Sequence, residues 1–170
     1  MKIDVSGLRK APGETIHHEF NEDLAPFEND SYQVSFAEPV FVSLDITNTG
    51  MSLQAKGAIT AELLLNCCRC LEIYRHHLEM TFEEQYRHIS EVENSDCDDD
   101  QNYQVYEGDC IDFTDAVREN VIIGIPMKPV CSSDCRGICA ICGTNKNIKD
   151  CGCKNADLDP RLAALKDFFK

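Results

Sequence analysis

The sequence predicts an α+β protein: mainly an antiparallel β-sheet or partial barrel with one or two helices, followed by a C-terminal zinc-binding, cysteine-rich segment. Three observations predict it. Apolar residues alternate with period two over much of the first two thirds, one short amphipathic stretch falls near residues 113–123, and six cysteines crowd residues 131–153.

The strands come first. Tyr32, Val34 and Phe36 alternate with polar Gln33 and Ser35; Val40, Val42, Leu44 and Ile46 follow Pro39; Met51, Leu53 and Ala55 alternate with Ser52 and Gln54. Asn48-Thr49-Gly50 between two of these runs reads as a hairpin turn. Ile59, Ala61, Leu63 and Leu65 then share one face, and Tyr74, His76, Leu78, Met80 and Phe82 share another. Between them lies Cys67-Cys68-Arg69-Cys70, which places a cysteine pair at a hairpin tip with both thiols turned outward.

Residues 90–112 carry nine Asp and Glu with no Lys or Arg, the composition of a solvated acidic loop. Asp96, Asp98, Asp100 and Glu107 match ligand positions of a calcium-binding loop, but Gln101 stands where that turn needs glycine, so calcium is set aside. A helix follows with Asp112 as its cap, and Phe113, Ala116, Val117, Asn120 and Val121 fall on one side. Gly124 and Pro126 close it. Asp159-Pro160 opens a final helix whose stripe, Leu162, Leu165 and Phe169, reads as core-facing.

A chain of 170 residues with 43% hydrophobic content has material for one modest core. We therefore expect a sheet body over 1–126, with its acidic loop at 90–112, and a zinc-binding tail over 127–170 packed with the body as one unit. The formal charge of -14 is unevenly placed: residues 1–126 hold 8 Lys and Arg against 25 Asp and Glu, whereas residues 127–170 hold 8 against 5. An acidic body repels phosphate, so nucleic-acid contacts belong to the tail, while the body suits basic proteins or simply solubility.

Eleven cysteines would suit disulfides only in a secreted chain. The N-terminal residues Met1-Lys2-Ile3-Asp4-Val5 begin no signal peptide, and no segment approaches the roughly 20 apolar residues of a membrane span. A reducing cytoplasm is expected, and there such cysteines are metal ligands or redox groups. Eight of them fit two four-ligand sites, leaving Cys68, Cys97 and Cys110 as free thiols.

Two partitions compete. Either Cys67 and Cys70 join Cys131 and Cys135 while Cys139, Cys142, Cys151 and Cys153 form a second site, or Cys131, Cys135, Cys139 and Cys142 form a local site and the other pairs meet. The first is favoured, because Cys139-x2-Cys142-Gly143 has the form of a zinc knuckle with a closing Cys-x-Cys only eight residues on. It would also pin the hairpin tip to the segment after the helix.

Four thiolates close a metal's coordination sphere, whereas catalytic zinc keeps an open position. His17 and His18 are neighbours, as are His76 and His77, so on strands each pair points to opposite faces. No helix-borne zinc-protease motif, phosphate loop or nucleophile elbow is present. The reading is of a non-enzyme with no catalytic residues, no small-molecule substrate and no membrane contact. A thiol redox role for the Cys-x2-Cys pairs is the alternative, and four cysteines also suit an iron–sulfur cluster.

The run Ile125-Pro126-Met127-Lys128-Pro129-Val130-Cys131, then Cys135-Arg136-Gly137-Ile138-Cys139-Ala140-Ile141-Cys142-Gly143-Thr144-Asn145-Lys146-Asn147, Cys151-Gly152-Cys153 and Asp159-Pro160-Arg161-Leu162, resembles the YceD-like family, the large ribosomal RNA subunit accumulation proteins. The upstream cysteine pair and the acidic stretch match its layout, so the likeness covers nearly the whole chain, with its specificity in the last 45 residues. It implies a role in accumulation of 23S ribosomal RNA and assembly of the large subunit, with ribosomal RNA or large-subunit ribosomal proteins as partners and no established catalysis.

In relatives that lack the second cluster the first pair persists, with histidines near the positions of Cys131 and Cys135, which supports the first partition. The chain departs from the family form at Ile138, Ala140 and Lys146, none of them a ligand. The expected metal is zinc, two ions, and Arg136, Lys146, Lys149 and Lys154 are the expected phosphate contacts. A zinc-braced protein adaptor without RNA contact is the remaining alternative.

Overall fold

The computed structural model describes residues 1–29, 32–92 and 103–153. Cys97, the calcium-like motif at 96–101, Lys154 and the expected helix from Asp159 lie outside the described residues. The chain divides into two compact units. The first comprises Met1–Leu65 and Tyr74–Pro129, and the second comprises Asn66–Ile73 and Val130–Lys170.

The first unit is mostly sheet. Its strands are β1 (Lys2–Asp4), β2 (Thr15–Glu22), β3 (Phe27–Asn29), β4 (Tyr32–Phe36), β5 (Val40–Asn48), β6 (Leu53–Asn66), β7 (Ile73–His88), β8 (Gln104–Tyr106) and β9 (Cys110–Asp112). The ends of β6 and β7 run into the second unit. Two helices follow strands, a single turn α1 (Ile89–Val92) and α2 (Thr114–Gly124). Seven strands form one sheet in the order β2-β5-β6-β4-β3, with β7 pairing both β6 and β8; β1 and β9 form a separate ribbon. No closed barrel forms among the described residues.

Period-two burial explains the central strands. β5 runs from buried Val40 through Val42, Leu44 and Ile46, and β6 buries Leu53, Ala55, Ile59, Ala61, Leu63 and Leu65 in alternation with less buried neighbours. β5 pairs antiparallel with residues 53–60 of β6, and β4 takes over at Leu63 and Leu64. The turn between β5 and β6 is held by Asn48, whose Nδ2 donates to the Leu8 and Arg9 carbonyls while its Oδ1 accepts from the Gly50 N–H. This buried amide is thus satisfied on both ends. Met51 belongs to that turn and is 74% exposed, so the alternation begins at Leu53, not at Met51.

β7 buries Leu78, Phe82 and Tyr86 and only half-buries Tyr74, His76 and Met80. A Cβ at Gly57 would overlap the Phe82 ring, so this glycine makes room for an aromatic. α2 starts one residue later than the cap reading implies: Phe113 occupies the cap position, and Asp112 acts from one residue back by accepting the Thr114 N–H at 3.0 Å. Phe113, Ala116, Val117 and Val121 are buried, and Phe113 meets the edge of Tyr86 at a ring distance of 5.2 Å. β1, β2, β3, β8 and β9 were not legible as strands, because most are three residues long and β2 buries no side chain fully, Ile16 and Phe20 being half-buried.

Candidate metal centre

Both Cys-x2-Cys pairs fold into the same turn. In the hairpin tip the Leu71 N–H donates to the Cys67 carbonyl at 2.9 Å and the Cys67 N–H to the Glu72 carbonyl at 2.9 Å. In the later segment the Gly143 N–H donates to the Cys139 carbonyl at 2.9 Å and the Cys139 N–H to the Thr144 carbonyl at 2.8 Å. The residue after each second cysteine is left-handed, φ 65 at Leu71 and φ 72 at Gly143. Such a turn brings two thiols to one side, and glycine is its low-cost solution.

The structure brings the eight cysteines together as two sets. Cys67, Cys70, Cys131 and Cys135 form one and Cys139, Cys142, Cys151 and Cys153 the other, with the sulfurs of each set all within 4.8 Å of one another. Cys67 Sγ lies 3.8 Å from Cys135 Sγ, and Cys70 Sγ lies 3.7 Å from Cys131 Sγ. A tetrahedral thiolate centre with metal–sulfur bonds of about 2.3 Å has edges of about 3.8 Å, so the first set has the dimensions of such a centre. Each set could hold a metal ion. The alternative grouping of the four cysteines from Cys131 to Cys142 is not the one the fold makes.

A loop between the pairs positions the first set. The Arg69 carbonyl accepts the Ile138 N–H at 2.9 Å, and its guanidinium Nη1 donates to the Ser133 and Cys135 carbonyls at 3.2 and 3.1 Å. Asn147 donates through Nδ2 to Cys135 Sγ at 3.2 Å and accepts the Arg136 N–H on Oδ1 at 2.7 Å. Asn145 accepts the Asn147 N–H and donates to Glu72 Oε1. Arg69, Asn145 and Asn147 were missed as positioning residues. The signal for the asparagines was their spacing, since Asn-x-Asn in a cysteine loop makes side-chain-to-backbone turns.

Electrostatics differ from sulfur to sulfur. Burial pushes the Cys67 thiol up, but backbone hydrogen bonds at Cys131, Cys70 and Arg69 outweigh it and bring it down to about 6. The Asn147 hydrogen bond lowers Cys135. The Thr144 hydrogen bond, 3.2 Å from Cys142 Sγ, brings Cys142 down to about 6. The neighbouring sulfurs then hold Cys131 and Cys153 up to about 12, each thiol donating a hydrogen bond, to Cys135 and Cys142 respectively. Each cluster thus readies some thiolates, whose charge resists ionisation of the others until a cation compensates them.

The expected phosphate contacts are not equivalent. Lys149 is exposed and Lys146 half-buried with its N–H donated to the Gly137 carbonyl, while exposed Arg136 pairs with Asp150 at 3.3 Å. No helix among the described residues is long and apolar enough to cross a membrane.

A sheet body with two potential tetrathiolate centres is the class of protein that fold and site define. The family model described as large ribosomal RNA subunit accumulation protein YceD matches residues 55–169, and the chain belongs to that family. Its relatives include an uncharacterised protein of Mycobacterium leprae, 26% identical over 98% of this chain and 76% of the relative. The YlbN protein of Bacillus subtilis is 27% identical over 100% of this chain and 97% of its own. A maize protein named large ribosomal RNA subunit accumulation protein YCED homolog 1, chloroplastic, is 24% identical over 78% of this chain and 54% of its own length. No solved structure matches the chain.

Proposed function

We propose that the chain is a non-enzymatic zinc-binding factor that supports large ribosomal subunit assembly and accumulation of 23S ribosomal RNA, acting in the cytoplasm. One observation carries this reading: the family match spans all eight clustered cysteines, so the two tetrathiolate sets belong to the part of the chain that defines the family. Cys67, Cys70, Cys131 and Cys135 would hold one zinc, and Cys139, Cys142, Cys151 and Cys153 another. Zinc bound by four thiolates contributes folding energy and has no open position for a substrate.

The mechanism is then binding. The metals brace the loop that carries Arg136, Lys146 and Lys149, and Lys154 follows just beyond the described residues. Cations on a rigid loop position phosphates without reading sequence. The Arg136–Asp150 pair does not prevent this, because an exposed ion pair is worth at most about 1 kcal/mol and exchanges readily for phosphate. The acidic residues of the first unit steer RNA away from it and leave it for basic proteins.

Depletion of the protein followed by sedimentation of ribosomal particles tests the role directly. Fewer large subunits and less 23S ribosomal RNA are expected, and unchanged profiles would refute it. A thiol redox reading draws on the lowered thiols of Cys67 and Cys142. Protein isolated without added metal separates the two: about two zinc per chain with alkylation-resistant clusters supports the brace, whereas metal-free protein with rapidly alkylated thiols supports redox chemistry.

A further inference from the structure

A cavity of about 460 Å³ opens beside the first cysteine cluster, entirely within the second unit. Cys70, Cys131 and Cys135 form part of its wall, together with the carboxylate residues Glu72 and Asp134 and the side chain of Ile148. Among the described residues neither lysine nor arginine lines it. Ile148 is 77% exposed, a large apolar side chain held in water at the rim. Asp134 carries a carboxylate with no ion-pair or hydrogen-bond partner among the described residues, while Glu72 gives one oxygen to Asn145 at 3.3 Å.

These features agree in sign. A divalent metal with four thiolates carries a net charge of about -2, and two carboxylates add to it. Phosphate is repelled by the sulfurs and carboxylates of this wall, although Asn145, Asn147 and Ile148 on its other side belong to the loop that carries Lys146 and Lys149. A cation with an apolar stem is attracted, the stem covering Ile148 and the head reaching the carboxylates and sulfurs. Among side chains arginine fits best, because its planar fork offers five donors to several acceptors at once and is less strongly hydrated than an ammonium group.

We infer that this cavity is a docking site for an arginine side chain from a basic segment of a protein partner. The inference rests on the metal-braced reading of the cluster and adds the kind of partner and the place it is held. Arginine enters with its guanidinium between Asp134 and Glu72, and an apolar neighbour in the partner covers Ile148. Opposite charge at a concave, partly apolar site supplies specificity and a fast encounter more than affinity, so a single side chain binds weakly and longer basic segments bind by adding contacts.

The test uses the full chain loaded with zinc and labelled for NMR. The probes are two short peptides, one with arginine between two leucines and one with glutamine in its place. The arginine peptide is expected to shift the Asn145 and Asn147 side-chain amides and the Ile148 resonances saturably, with a dissociation constant of about 1 mM. Glutamine should weaken binding about tenfold, and Asp134→Asn should weaken the arginine peptide to a similar degree.

Equal response to both peptides, or no effect of Asp134→Asn, overturns the inference. So does a short single-stranded RNA whose binding is weakened by Asp134→Asn, since a carboxylate that recruits RNA is not reserved for a cation. Metal content is measured in the same samples. Loaded protein that ignores the arginine peptide overturns this inference alone, whereas a chain that holds no metal overturns the metal-braced function together with it.

Discussion

The carbonyl oxygen of Arg69 lies 2.9 Å from the position that a Cβ on Gly137 would occupy, and the same oxygen accepts the Ile138 N–H. The hairpin tip and the loop between the clusters therefore meet backbone to backbone. Gly137 is also left-handed, at φ 70. Gly137→Ala is expected to cost about 1–2 kcal/mol from the backbone conformation alone, and more because the Arg69 carbonyl must move. Since Arg69 also holds the Cys135 carbonyl, metal affinity of the first cluster should fall with stability. Thermal unfolding with a chelator competition measures both, and an alanine variant with unchanged affinity would show that this contact does not position the cluster.

Leu71 presents the opposite case. It occupies the left-handed corner that Gly143 fills in the second knuckle, and its side chain is 65% exposed. Leu71→Gly should relieve about 1–2 kcal/mol of backbone strain, offset by about 0.5–1 kcal/mol of extra unfolded-chain entropy. A net gain of about 0.5–1 kcal/mol is expected, read as a higher melting temperature of the metal-loaded chain. A lower melting temperature would mean that the leucine makes a contact its exposure does not suggest.

What the sequence made legible follows from the range of the forces involved. Alternation in Val40–Ile46 and Ile59–Leu65 and the helix around Val117 could be read because burial imposes their periods locally. The two knuckles were legible because their thiols are three residues apart, and Gly143 advertised its turn. The turn at the hairpin tip could be read from its cysteine spacing alone, because Leu71 fills the left-handed position that glycine takes at Gly143. The pairing of β1 with β9 joins segments more than a hundred residues apart and leaves no local trace, and the hold of Asn147 on Cys135 depends on a loop path that spacing alone does not reveal.

Asn147 lies in sequence between Cys142 and Cys151, ligand candidates of the second cluster, yet it hydrogen-bonds a sulfur of the first. Asn147→Ala removes that donor and the acceptor for the Arg136 N–H while leaving all eight thiols in place. Outer-shell partners of this kind typically change metal affinity by about 10–100-fold. The expected result is weaker binding at the first cluster with two metals still bound at saturation. Loss confined to the second cluster would contradict the geometry. If metal at the second cluster orders the loop that carries Asn147, replacing Cys139 should weaken the first cluster as well, and titration with a chromophoric chelator reads this as a lower affinity for the remaining ion.

His17 supplies a pH dependence remote from the cysteines. The register of β2 on β5 sets His17 opposite Asp45, with Nδ1 2.6 Å from Asp45 Oδ1 and Nε2 3.5 Å from Glu19 Oε1. The hydrogen bond to Asp45, and after it the one to Glu19, raises the imidazole above its ordinary value. A raised folded-state value means that protonated His17 stabilises the fold at pH below about 6.5, and that the contribution disappears as pH rises through the folded-state value. The pair is exposed, so its effect on stability is small and the imidazole resonances are the better reading. Titration of His17 should give a midpoint above 6.5 that falls in Asp45→Asn, and a midpoint indifferent to that substitution would show that the carboxylate across the strand does not set the charge of this histidine.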